Sequence, residues 1–264
     1  MASENLLILR SACKARRRTH HARPEAGLPE AGLTEAGLTE AGLTEAGLTD
    51  PIVIAIDGPA ASGKGTLARR IARHFGFAHL DTGRLYRATG LAVLDAGGDP
   101  ADPAAAEKAA RGLDLGRLGD PRLKGDDVSN AASIVGAIPA VRAALLELQR
   151  GFARHPPAAA KGAVLDGRDI GTVVCPGAAV KLFITASVES RAGRRVKELR
   201  ESGAEAIYGT VLQGMKERDA RDSERRVAPL SAAPDAVTID TTLVDPDQVF
   251  ERASDLIARH LARR

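Results

Sequence analysis

Ile52-Val53-Ile54-Ala55-Ile56, running on into Asp57-Gly58-Pro59-Ala60-Ala61-Ser62-Gly63-Lys64-Gly65-Thr66, decides how this chain folds. The apolar run reads as a strand, and residues 67–75 read as a helix. A glycine-rich turn between a strand and a helix is the setting of a phosphate-binding loop. Its glycines let consecutive backbone N–H groups turn inward around a polyphosphate. The helix that follows adds its positive end and unpaired donors. Lys64 supplies a mobile point charge for the outer phosphates. The strict pattern has Ser or Thr directly after the lysine; here Gly65 intervenes and Thr66 follows.

Downstream of the loop, four more aliphatic strand candidates occupy residues 77–80, 163–165, 180–184 and 236–239. Helical stretches lie between and after them, at 141–154, 188–201, 204–218 and 246–262. Pro139 and Pro246 stand where a first helical turn tolerates proline. Alternating strands and helices predict an α/β fold, a five-stranded parallel sheet with helices on both faces. Ligands of such sheets bind beyond the carboxyl ends of the strands.

The length of 264 residues suits one large or two small domains. With no Trp and only five Phe, the core has to be aliphatic. Cys13 and Cys175 lie far apart in different contexts and suggest neither a disulfide nor a zinc site, so a reducing cytosol fits. No apolar run approaches the ~20 residues of a membrane span, and Leu6-Leu7-Ile8-Leu9 is shorter than the ~7–15 residue apolar region of a secretory signal. A net charge of +3 is too weak by itself to imply nucleic acid.

The first fifty residues read as a separate extension. Arg10, Lys14, Arg16, Arg17, Arg18 and Arg23 form a basic cluster, and Glu-Ala-Gly-Leu-Thr/Pro then repeats five times from Glu25 to Thr49. A five-residue step advances about 140° around an α-helix, so Leu28, Leu33, Leu38, Leu43 and Leu48 form no stripe. A glycine in each unit costs about 1 kcal/mol relative to alanine. The segment is expected to be a low-complexity, mostly disordered extension over residues 1–50.

Three further motifs carry charge toward strand ends. Asp81-Thr82-Gly83-Arg84-Leu85-Tyr86-Arg87 follows the second strand candidate, and Thr82 and Arg87 could both face an anionic group near the start of the next helix. Leu165-Asp166-Gly167-Arg168-Asp169-Ile170-Gly171-Thr172 ends the third candidate and sets opposite charges beside the crevice. Arg191, Arg194 and Arg195 fall on one helix. Arg218, Arg221, Asp222 and Arg225 recur at helical spacing on one face. Charge spread over transferring phosphoryl oxygens needs such cations. Each motif also has a plainer meaning: a capped helix, a polar turn, or a solvated face of mixed charge.

Together and in this order, with Ser129-Asn130-Ala131-Ala132-Ser133 between them, these motifs resemble those of bacterial cytidylate kinases. The Gly-Lys-Gly-Thr form also resembles the loop of nucleoside monophosphate kinases rather than that of GTPase switches. The resemblance covers about residues 51 to 264. It implies a P-loop kinase fold with a small nucleotide-monophosphate subdomain at about 83–160 and a short lid at about 188–226. It implies ATP at Gly58, Pro59, Ala60, Ala61, Ser62, Gly63, Lys64, Gly65 and Thr66, with Mg2+ held mainly by the phosphates and no metal-ligating residues assigned. CMP or dCMP is then the acceptor. Thr82, Arg87 and Arg168 match positions handling its phosphate and sugar side, and Ser133, Arg142 and Asp169 match positions reading cytosine. Arg218 and Asp222 match positions near the pentose, and Arg225 a phosphate-facing arginine. Lys64, Arg168, Arg191, Arg218 and Arg225 would carry catalysis. A cytoplasmic monomer without membrane or nucleic-acid partners is implied too. The stretch between about Leu113 and Ser129 is briefer than in many members, which predicts a smaller subdomain there.

The chemistry agrees with that resemblance. Cytosine offers an amino donor at N4 and acceptors at N3 and O2; a carboxylate such as Asp169 suits the first, Arg142 and Ser133 the others. The acceptor phosphate is already anionic, so no histidine base is needed; His74, His79, His155 and His260 are expected at the surface or in packing roles. Two alternatives stay open at this point. One is another P-loop kinase acting on UMP, AMP or a non-nucleotide alcohol. The other is a non-catalytic nucleotide- or RNA-binding module with the basic N-terminus as its working end.

Overall fold

A computed structural model describes residues 51–201 and 203–263. The expected extension over residues 1–50 lies outside the described residues. Strand β1, Ile52–Asp57, leads through the loop into helix α1, Lys64–Phe75, and β2, Ala78–Asp81, follows. Four helices come next: α2, Thr82–Asp95; α3, Pro103–Arg111; α4, Asp126–Val135; and α5, Pro139–Arg154. Then come β3, Gly162–Gly167; β4, Val180–Thr185; α6, Val188–Glu201; α7, Tyr208–Glu224; β5, Val237–Asp240; and α8, Pro246–Leu261.

The strands form one five-stranded parallel sheet in the order β2-β3-β1-β4-β5, as expected. β3 inserts between the two strands that are consecutive in sequence. Ile56 is therefore level with Asp166, and Asp81 is level with the same residue from the other side. Three acidic strand ends, Asp57, Asp81 and Asp166, thus stand at one carboxyl edge. β3 is buried along its whole length, which explains its short apolar run.

Each face of the sheet has its own aliphatic core. On one side Ala55, Leu80, Leu165 and Ile170 pack with Leu85, Leu145 and Phe152 of the helices. On the other, Ile54, Ile56, Leu182 and Ile239 pack with Ile71 of α1 and Ile257 of α8. Burying a side chain of this size contributes roughly 1.5–3 kcal/mol, so these layers hold the strand ends in register. Cys175 packs half-buried against the first core, and burial pushes its thiol up to about 11.

Two sequence expectations shift. The helix expected at 204–218 is α7, which starts at Tyr208 and runs on to Glu224. Gly203 at φ 82° ends α6, with the Ala204 N–H closing back on the Leu199 carbonyl at 3.0 Å. Ile207 is extended, so the chain needs residues 203–207 to turn. The brief stretch between Leu113 and Ser129 holds two short 3-10 turns, Leu115–Gly119 and Pro121–Lys124, and the start of α4. Their Asp114 and Asp120 side chains cap the first N–H groups. Among the described residues no single helix is long and apolar enough to cross a membrane.

Candidate active site

The phosphate loop is built by backbone conformations that few residues adopt. Gly58 has φ 149°, and a Cβ there would lie 2.0 Å from the Ile184 carbonyl oxygen of β4. Gly63 has φ 89° and caps α1. Ala61 is left-handed at φ 56°, which costs an L-residue roughly 1–2 kcal/mol. Such alternation turns successive N–H groups toward one centre. Ser62 is fully buried, and its carbonyl accepts the Thr241 hydroxyl at 3.0 Å, tying the loop to the end of β5. Lys64 curls back over the turn and donates to the Pro59 carbonyl at 3.2 Å. Thr66 is exposed and accepts from Arg69 at 3.2 Å.

Beyond the loop opens a cleft of about 570 Å3, with Lys64 and Gly65 at one end and Arg142 and Ser133 at the other. Arg87, Arg168 and Arg218 line it too. Arg87 donates to Asp81 at 2.9 Å, and Arg168 to Asp222 at 2.9 Å. Arg218 donates to the Ser129 hydroxyl at 2.6 Å and lies 3.9 Å from Asp222, so one carboxylate serves two arginines. Burial works against ionising Asp222, but Arg168 and Arg218 outweigh it and hold its carboxyl below the usual range. The cations are crowded. Burial, then repulsion from Arg168, lowers Lys64 to about 7 and Arg218 to about 10. The buried Nε atoms of Arg87 and Arg218 have no hydrogen-bond partner among the described residues. An anion is the ligand that such a cluster stabilises.

At the far end Arg142 pairs with Asp169 and donates to the Gly136 carbonyl at 3.2 Å. Its guanidinium lies over the Tyr86 ring, 5.5 Å from the centroid. Arg225, just past α7, donates to the Ala228 carbonyl at 2.6 Å and lies 3.9 Å from Asp169. It therefore stands beside the Arg142–Asp169 pair. Burial, then the neighbouring Arg142, lowers its pKa. Ser133 is held by Arg221, which donates to its hydroxyl at 3.3 Å and to Asn130 at 2.8 Å.

Two other expected residues make fixed contacts within the protein. The buried Thr82 hydroxyl donates to the Asp166 carbonyl at 2.8 Å, so it fixes α2 to β3. Arg191 is buried against Asp219, at 2.5 Å, and reaches the Ala60 carbonyl of the loop at 3.3 Å. It abuts the loop from behind rather than lining the cleft.

Sequence reasoning missed three contacts. His79, expected at the surface or in packing, places Nε2 2.7 Å from Asp166 Oδ2. The period of two along β2 puts it on the same face as Asp81, a signal that was available. The sequence reading groups Arg221 with the cations of one helical face and gives Asp219 no role, yet they hold Ser133 and Arg191. Among the described residues no group of three or more His, Cys, Asp or Glu is placed to hold a metal ion.

Comparison with known proteins agrees with this geometry. Residues 54–259 match the cytidylate kinase family, and residues 24–49 match six copies of the GLTT repeat. Cytidylate kinase from Rhodospirillum rubrum is 61% identical over 207 residues, covering 78% of this chain and 97% of that protein. The one from Paramagnetospirillum magneticum is 61% identical over 205 residues, covering 78% and 97%. That from Granulibacter bethesdensis is 55% identical over 212 residues, covering 80% and 99%.

Proposed function

The chain belongs to the cytidylate kinase family, and on that premise we propose that it transfers the γ-phosphoryl group of ATP to CMP or dCMP. A phosphate oxygen of the monophosphate forms the new bond to the γ-phosphorus, the bond to the β,γ-bridging oxygen breaks, and ADP leaves. The observation that carries this reading is the cleft itself: a phosphate loop, a crowded cation cluster and a carboxylate–guanidinium pair line one cleft.

The loop residues Gly58–Thr66 hold the ATP phosphates. Lys64, Arg168 and Arg218 neutralise charge as it spreads over the transferring oxygens. Arg191 supports the loop from behind. Arg87 and Arg168 take the acceptor phosphate, and Arg218 and Asp222 lie along the pentose. Ser133, Arg142, Asp169 and Arg225 meet the base. Asp169 accepts from cytosine N4, and uracil would turn a carbonyl oxygen toward it, leaving mismatched polar groups. Mg2+ would be carried mainly by the nucleotide phosphates, with the exposed Thr66 hydroxyl of the loop available to it, and would supply charge neutralisation there. Residues of about 83–160 would form the monophosphate-binding subdomain and those of about 188–226 the lid. The same reading makes the protein a cytoplasmic monomer acting on small molecules. ADP release measured against a panel of nucleoside monophosphates tests it. Turnover with CMP well above UMP and AMP is expected, and equal rates on all would break the base assignment.

A further inference from the structure

Asp57 has no part in the chemistry above. It closes β1, one residue before the loop opens at Gly58, and is 5% exposed. Its Oδ1 accepts the Ile170 N–H at 2.8 Å, and its Oδ2 accepts the Gly171 N–H at 2.7 Å. Those two amides come directly after Asp169. The segment Ile170–Val174 makes one wide helical turn, in which the Asp169 carbonyl accepts from Val173 and Val174 at 2.9 and 3.1 Å. A Cβ on Gly171 would lie 3.1 Å from the Lys181 side chain and 3.4 Å from Asp57 Oδ2. A side chain there would crowd Lys181 and touch the Asp57 carboxylate, so glycine leaves the turn room against both.

The orientation of Asp169 is thus set from both directions. Its side chain pairs with Arg142, and the peptide units behind it are gripped by a residue of the phosphate-loop strand. We propose that Asp57 is a positioning residue for base recognition: by holding the Ile170 and Gly171 amides it fixes the direction in which Asp169 meets the pyrimidine. The proposal rests on the base-reading role given to Asp169 above.

Burial raises the Asp57 carboxyl to about 6 against the two amide hydrogen bonds, with Asp169 adding repulsion and Lys64 opposing it. Lys181 on β4 and Cys175 after the turn also face this position. A protonated carboxyl keeps one good acceptor oxygen, and the other carries the proton. The grip on the two amides therefore weakens as pH falls through about 6.

Amide hydrogen exchange on the nucleotide-free protein, with steady-state kinetics at pH 8, tests this in wild type and Asp57→Asn. In wild type, protection at Ile170 and Gly171 should fall about tenfold through that pH, while protection at Ile54 and Leu165 holds. Asp57→Asn should lack the step. Its KM for CMP should rise about tenfold, the loss of one charge-assisted hydrogen bond, with the KM for ATP moving less than about twofold. A step that persists in Asp57→Asn overturns the proposal, as does an unchanged KM for CMP. Both KM values rising together with exchange in β1 makes Asp57 a general support of the fold and also overturns it. A wild-type enzyme that does not turn over CMP overturns the functional reading instead, and the exchange arm is read without it.

Discussion

The phosphate end of the cleft is one unbroken run of sequence, while the base end is gathered from four segments. At the phosphate end the proposed groups are the backbone N–H groups of Gly58 and of residues 60–66 and a single lysine, whose only hydrogen bond among the described residues is to a carbonyl. At the base end Ser133 comes from α4, Arg142 from α5, Asp169 from the turn after β3, and Arg225 from the end of α7. Charges there are paired before any ligand arrives, Arg142 with Asp169 and Arg225 close to both. The difference separates two ways of preparing a site. A contiguous loop stores its binding power in backbone strain and an underpaired cation. An assembled site stores it in side-chain pairs, which a ligand has to rearrange or join.

The largest effect should come from the loop. Lys64→Ala removes the one mobile cation of that end, and loss of a preorganised donor of this kind costs roughly 3–4 kcal/mol of transition-state stabilisation. Folding should be nearly untouched, because the side chain's only hydrogen bond among the described residues is to the Pro59 carbonyl. Measured kcat near wild type would erase the contrast drawn above.

Asp169→Asn should come next, and only on the acceptor side. A hydrogen bond to a charged group contributes about 1.5–3 kcal/mol, so kcat/KM for CMP should fall roughly 10- to 150-fold. The KM for ATP should stay put, and preference for CMP over UMP should narrow, because the amide can donate to uracil O4. An unchanged CMP-to-UMP ratio would move base reading to Ser133 and Arg142.

A subtler test uses protons. The Lys64 ammonium sits at about 7 in the nucleotide-free protein, below its ordinary 10.5, because burial and Arg168 disfavour its charge. The folded state therefore binds fewer protons than the unfolded chain between those values, and stability contributed by this group rises with pH across that window. Polyphosphate restores the charge. At pH 8, ATP binding should take up as much as about one proton, seen by calorimetry in buffers of different ionisation enthalpy. Equal uptake in Lys64→Ala would assign the proton elsewhere.

The smallest change should follow removal of residues 1–49. The family match begins at residue 54, and relatives are covered almost completely without this stretch. The five-residue repeat presents no continuous apolar stripe on a helix. Activity and melting temperature should be nearly those of the full chain. A truncated protein that loses CMP binding would make the repeat a third region of the site.

Much of this was legible before any coordinates, and the reason is locality. The loop needs particular φ values at neighbouring positions and a strand and helix on either side, and all of that is written within residues 52–75. Alternating aliphatic runs and helical periods likewise predict a parallel sheet, because each depends on neighbours a few residues apart. The position of β3 between β1 and β2 depends on which faces bury each other, and it alone brings Asp166 level with Asp81. Pairing of cations was equally hidden. Arg168 could meet Asp169 next to it in sequence, yet it pairs with Asp222, and Arg142 takes Asp169. His79 reached Asp166, and Arg225 came to lie beside Asp169, for the same reason. The sequence determined that this protein would grip a polyphosphate, since that grip is made of consecutive backbone groups. Only the tertiary structure decided which charges face one another at the other end, since that depends on side chains carried by elements far apart in the chain and packed onto one edge of one sheet.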